Sequence, residues 1–146
     1  MLNDQLMNPK SIVIVGGSND IKKPGGKIVK NIIDGGFRGQ LNIVNPKSSM
    51  IQGMSSYPSV SDIPNTDLAI LAIPAKFCLE TINILAQQKN TKAFIIISAG
   101  FAEAGVEGKK IERDIAKLIE SVDGCLIGPN CIGVLNKNYK GVFTSP

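Results

Sequence analysis

The residues best placed to do chemistry in this sequence are glycines and amides rather than acids and bases. Gly16-Gly17-Ser18-Asn19 ends an apolar run, SIVIVG, and Pro24-Gly25-Gly26 opens the helical stretch that follows. Glycines let a backbone come close to a diphosphate, and the unpaired N–H groups of a helix's first turn point at such a group. The spacing is not G-x-G-x-x-G, because Asp20, Lys22 and Lys23 lengthen the loop. The same glycines therefore also read as a tight strand-to-helix turn.

A second feature follows the next apolar segment, where the chain reads Asn45-Pro46-Lys47. Domains that bind NAD usually carry an acidic residue there, which accepts from the ribose 2′-hydroxyl. Lys47 offers a positive charge and no acceptor. That suits a phosphorylated ribose, as in NADP or the 3′-phosphate end of coenzyme A, and counts against NAD; an ordinary exposed lysine is the plain alternative.

The remaining candidate loops, Ser98-Ala99-Gly100-Phe101 and Gly128-Pro129-Asn130-Cys131, are built of small residues. The chain has no histidine, which excludes histidine acid–base catalysis and any Ser-His or Cys-His nucleophile. Cys78, Cys125 and Cys131 are odd in number and unpaired in spacing, so they read as free thiols rather than a disulfide framework or a metal site. No basic partner stands beside Cys131 in the sequence, and packing is its expected role.

These loops must be held by something, and the chain supplies alternating strands and helices. Apolar runs at 11–16, 41–44, 67–73, 92–98 and 124–128 read as buried parallel strands. Ile28, Val29, Ile32 and Ile33 fall at helical spacing over 25–34, before the Gly35-Gly36 stop. Pro74 opens a second helix whose inner face is Cys78, Ile82, Leu85 and Ala86, and Ile111, Ile115, Leu118 and Ile119 mark a third. Residues 45–64, with three prolines, read as loop with one short helix. The expected fold is α/β: a Rossmann-like doubly wound parallel sheet of about five strands in the order 3-2-1-4-5, in one domain. The domain is expected to span residues 1–136, with 137–146 starting a linker to a further domain. In such a sheet a ligand lies beyond the carboxyl ends of the strands, where the strand order reverses.

Composition sets the outer limits. The 146 residues suit one core, and 43% hydrophobic with 19% charged residues exclude a disordered or fibrous chain. Residues 1–10 are polar and lack the apolar core of a signal peptide, which points to the cytoplasm. The net charge of +4 is local: seven Lys/Arg face three Asp/Glu through residue 50, and nine face nine thereafter. A local surplus with two Tyr and no Trp suits a small phosphorylated ligand better than a nucleic acid, and no apolar run is long enough for a membrane span.

With these residues in view, the chain resembles the coenzyme A-binding domain of nucleoside-diphosphate-forming acyl-CoA synthetases. That family includes ADP-forming acetyl-CoA synthetase and, more distantly, the α subunit of succinyl-CoA synthetase. The resemblance runs over residues 9–133 and rests on SIVIVGGSND, GGFRGQLNIVNPK, YPSVSDIP, DLAILAIPA, IIISAGFAEAG and GPNCIGV. It implies coenzyme A as cofactor, with Gly17, Ser18, Asn19, Gly25 and Gly26 at its phosphates and adenosine, and Lys47 at the nucleotide end. It further implies Ile73, Pro74 and Ala75 on the adenine and pantetheine side, Ile97, Ser98 and Ala99 along the pantetheine arm, and Asn130 with Cys131 toward the thiol. In the α-subunit branch an acidic residue follows the position of Ser98; this chain has Ala99, which places it with the acetyl-CoA synthetase branch.

The family's phosphorylated histidine and its ATP-grasp nucleotide site belong to other domains or subunits, which would be the partners of this one. The resemblance thus implies an ADP-forming ligase in which this chain binds coenzyme A but has no catalytic residue. Two other readings stay open at this stage: a coenzyme A or acyl-CoA sensor attached to a protein acetyltransferase, and an NADP-binding redox domain.

Overall fold

In a computed structural model, which describes residues 2–145, the apolar runs become strands buried on both faces. The elements in chain order are α1 (Asp4–Met7), β1 (Ser11–Val15), α2 (Pro24–Asp34), β2 (Gln40–Val44), a hairpin of β3 (Met50–Ile51) and β4 (Met54–Ser55), and a 3-10 turn at Val60–Asp62. Next come β5 (Leu68–Leu71), α3 (Ala75–Gln88), β6 (Ala93–Ile96), a 3-10 turn at Ala102–Ala104, α4 (Val106–Ser121), β7 (Cys125–Ile127) and a closing hairpin of β8 (Gly133–Leu135) and β9 (Lys140–Val142). No helix among the described residues is long and apolar enough to cross a membrane.

The main sheet runs β2-β1-β5-β6-β7 with every neighbouring pair parallel. A five-strand doubly wound sheet is thus present, but the expected order 3-2-1-4-5 is corrected to 2-1-3-4-5. The third strand, β5, pairs with β1 through Ile12↔Leu68 to Val15↔Leu71, on the side of β1 away from β2. The reason lies in the connection. An outer third strand beyond β2 needs a helix to cover it, and residues 45–67 form only a two-residue-stranded hairpin and one 3-10 turn. Val60 and Ile63 of that connection pack instead with α3, on the face opposite α2. The order now reverses between β1 and β5, and the crevice lies above that pair.

One face of the sheet is covered by α2, α1 and the β8–β9 hairpin. Ile28, Val29 and Ile32 of α2, Leu6 of α1 and Tyr139 pack there on Ile12, Ile14, Ile43, Leu68 and Ile70. Full burial of such side chains contributes about 1.5–3 kcal/mol each. The other face holds Cys78, Ile82 and Leu85 of α3 with Ile115 and Ile119 of α4. All of these α3 and α4 residues are among those that the helical spacing marks.

The boundary expected at residue 136 falls inside the closing hairpin. Val134 pairs with Gly141, and the amide of the buried Asn31 in α2 donates to Val142 O at 2.7 Å and Thr144 O at 2.9 Å. The buried Tyr139 hydroxyl donates to Leu6 O at 2.7 Å, tying the two ends of the chain together. Residues 137–144 therefore pack with the domain.

Candidate functional site

The crevice begins where β1 stops. Gly16 takes φ 91°, its N–H donates to Val44 O at 2.9 Å, and a Cβ there would stand 2.4 Å from Ala72 O. Only glycine brings the ends of β1, β2 and β5 that close. At Gly25 a Cβ would sit 2.1 Å from Gly16 O, so the start of α2 is pressed directly onto the strand end. The inserted residues fold into their own turn, with Asp20 N donating to Ser18 Oγ and Lys22 N to Asp20 Oδ1, each at 3.0 Å.

That packing leaves a run of unused donors. Among the described residues, no protein acceptor meets the N–H groups of Gly17, Ser18, Gly25 or Gly26. Helix α2 has no side-chain cap and no acidic residue in its first turn, and Pro24 takes the position where a missing N–H does no harm. Unpaired amides at the positive end of a helix dipole form a site for an anion. Of the residues that carry them, Ser18 and Gly25 line a cleft of about 200 Å3 together with Gly16, Lys23, Pro24, Ala72, Ile97 and Ser98.

The structure treats the residues singled out from the sequence unequally. Ser18, Gly25, Ile97 and Ser98 line the cleft together, while Gly17 and Gly26 are buried behind it. Ile73 borders it indirectly, its carbonyl accepting from Ser98 Oγ, and Pro74 is the N-cap of α3, with Ala75 its first residue. Ala99 is exposed, and so is Asn130, whose N–H donates to Ser98 O at 3.1 Å. Lys47 is exposed and does not line the cleft. It sits on a turn made by Asn45, whose Oδ1 accepts from Lys47 N at 2.8 Å and Ser48 N at 3.0 Å, while Nδ2 donates to Gly17 O at 2.9 Å.

Asn19 faces another way. Its Nδ2 donates to Met50 O at 3.0 Å and its Oδ1 accepts from Gln52 N at 2.7 Å, so its side chain grips the β3–β4 hairpin. The amide of Gln52 in turn donates to Ser18 O and Gly26 O, both at 2.9 Å. Sequence reasoning missed Gln52, and it passed over Lys23 and Ala72 as lining residues. Gln52-Gly53 between two short runs was the one available hint of a hairpin.

The loop after β6 has the opposite electrostatic character. The Glu103 carboxylate accepts from Gly100 N and, at 3.1 Å, from Phe101 N, and Glu112 Oε1 accepts from Ala102 N at 3.2 Å. The Gly100 bond foremost holds the Glu103 carboxyl below its ordinary range. Donors that the first loop leaves free are, in the loop after β6, taken by the chain's own carboxylates, so the free amides of the crevice are those of the first loop.

Burial pushes the Cys78 thiol up to about 12, and burial also raises Cys131, whose Sγ lies 3.4 Å from Ile96 O. Neither is an activated nucleophile. No group of three His, Cys, Asp or Glu among the described residues could hold a metal ion.

Sheet order, crevice and free amides together define a doubly wound domain whose glycine loop presents unpaired amides at the switch point. The chain belongs to the CoA binding domain family, whose model matches residues 10–137. It is 39% identical over 135 residues to the alpha subunit of acetate–CoA ligase [ADP-forming] II of Pyrococcus furiosus, covering 91% of this chain and 29% of that one. Against acetate–CoA ligase [ADP-forming] I of Archaeoglobus fulgidus it is 40% identical over 134 residues, 91% of this chain and 19% of the relative. The dinucleotide forming acetyl-coenzyme A synthetase 1 of Ca. Korarchaeum cryptofilum, solved with phosphate and ADP, superposes with a TM-score of 0.88 at 30% identity, over 97% of this chain and 31% of that chain. The chain thus spans less than a third of the length of these relatives.

Proposed function

We propose that this chain binds coenzyme A as the cofactor-holding part of an ADP-forming acyl-CoA synthetase, which joins a carboxylic acid to coenzyme A with ATP, giving acyl-CoA, ADP and phosphate. The observation that carries the reading is the set of unpaired amides at Gly17, Ser18, Gly25 and Gly26, beside a cleft with no carboxylate in its lining. These amides suit the diphosphate of the cofactor. Lys47, on its Asn45 turn, suits the 3′-phosphate outside the cleft. Ile73, Pro74 and Ala75 suit the adenine side, and Ile97, Ser98 and Ala99 the uncharged pantetheine arm. Asn130 suits the thiol end. Asn19 acts through the hairpin that it holds.

With no histidine and no activated thiol, this chain has the equipment to hold the cofactor rather than to make the thioester. Phosphoryl transfer would then fall to ligase and ATP-grasp parts elsewhere, in the cytoplasm. The relatives named above are ligases, which favours this reading over an acetyltransferase-linked sensor or an NADP-binding redox domain.

Calorimetric titration of the chain with coenzyme A and, separately, with NADP tests the proposal. Saturable binding of coenzyme A with no response to NADP is expected; binding of NADP alone would overturn it.

A further inference from the structure

The crevice does not account for all the cations of the basic first third. Lys22, Lys23 and Lys47 belong to loops at the carboxyl ends of β1 and β2, but Lys10 immediately precedes β1 and Arg38 lies two residues before β2, at the opposite edge of the sheet. Lys137, from the turn between β8 and β9, joins them. With Asn8, Phe37 and Asn138 they line a second cavity of about 760 Å3.

No acidic residue lines this cavity. The nearby carboxylates are engaged: Asp67 Oδ2 accepts from the backbone N–H of Lys10 at 2.9 Å, and Asp34 pairs with Lys30. Among the described residues, the side chains of Lys10, Arg38 and Lys137 have no carboxylate partner. The backbone N–H groups of Arg38 and Gly39 meet no protein acceptor there either. Three segments far apart in sequence thus deliver three cations and free amides to one concavity. Like charges gathered around one cavity repel one another, and an anion bound among them offsets that repulsion.

We propose that this amino-edge cavity is a second anion site, for a compact multivalent phosphate compound of diphosphate charge or more. Arg38 offers a planar fork to phosphate oxygens, Lys10 and Lys137 add mobile point charges, and the half-buried Phe37 gives an organic portion an apolar wall. The cavity is of the size that small-molecule sites occupy. It stands at the far end of α2 from the crevice, and it does not rest on the coenzyme A reading.

Amide chemical shifts of the full chain, titrated with inorganic triphosphate at about 0.15 M salt, test it. Saturable shifts are expected at residues 35–39 and 137–138, and R38A/K137A should weaken them at least about tenfold while shifts at 16–26 persist. A K109A/K117A variant removes the same charge from the exposed side of α4 and should leave the affinity unchanged. Shifts at 35–39 that grow linearly without saturation, or equal weakening in both variants, would mean diffuse attraction and overturn the site. Failure at 16–26 alone would touch only the crevice.

Discussion

The backbone N–H of Gln52 donates to Asn19 Oδ1 at 2.7 Å while the Gln52 side-chain amide reaches back to Ser18 O and Gly26 O. Two residues 33 apart in sequence thereby bind the β3–β4 hairpin, the glycine loop and the first turn of α2 into one unit. The side-chain bonds take carbonyls, not amides, so the donors of the loop stay free while its shape is held. Preorganisation of this kind lowers the cost of ordering a loop around its ligand.

Replacing Gln52 by Ala should therefore weaken coenzyme A binding by up to about thirtyfold, since two side-chain hydrogen bonds of about 1 kcal/mol each leave the loop. Calorimetry reads the affinity and a denaturant midpoint reads stability. An unchanged affinity would show that the hairpin does not position the loop.

Lys47→Ala should lower affinity for coenzyme A but not for its 3′-dephospho form, because only the former carries the group that an exposed lysine here would meet. The expected loss is about fivefold to tenfold at low salt, shrinking as salt rises. A mutant that still distinguishes the two ligands as well as the parent does would remove Lys47 from the site.

Gly25→Ala places a Cβ 2.1 Å from the carbonyl oxygen of Gly16, and neither backbone can yield without opening the turn. A destabilisation of about 1–3 kcal/mol, with loss of cofactor binding, is expected in urea unfolding and titration. Wild-type stability with wild-type affinity would show that the close approach is not needed.

Glu103 makes a pH prediction. Its folded-state carboxyl is held low by the Gly100 and Phe101 amides, so its contribution is present above the ordinary carboxylate range and lost as pH falls through the lowered value. The Gly100 and Phe101 amide shifts should titrate together below the pH at which a free glutamate does, and Glu103→Gln should abolish that inflection. Titration at the ordinary glutamate value would show that the bonds do not form in solution.

Truncation after Asn136 tests the closing hairpin. It removes the buried Tyr139 and Val142, the Tyr139 bond to Leu6 O and both acceptors of Asn31. A loss of about 4–9 kcal/mol follows from two buried side chains at about 1.5–3 kcal/mol each plus about 1–3 kcal/mol for the stranded amide. A denaturant midpoint close to that of the full chain would place residues 137–144 outside the cooperative unit.

Much of this protein is written locally. Ile28, Val29 and Ile32 mark the inner face of α2, Cys78, Ile82 and Leu85 that of α3, and the β-branched run at Ile12–Val15 a strand buried on both faces, because each pattern reports the burial of near neighbours along the chain. The glycines at 16, 17, 25 and 26 carry the strand-to-helix loop for the same reason: only backbone freedom and close approach at those positions are at stake. What tertiary structure alone decided is which side of β1 receives β5, where the hairpin with Gln52 lies, and how Tyr139 closes on Leu6. These rest on hydrogen bonds and packing between residues tens of positions apart. Local periodicity is the same for strand orders 3-2-1-4-5 and 2-1-3-4-5, and only the cover available over each face, α2 on one and the Val60–Asp62 turn with α3 on the other, separates them.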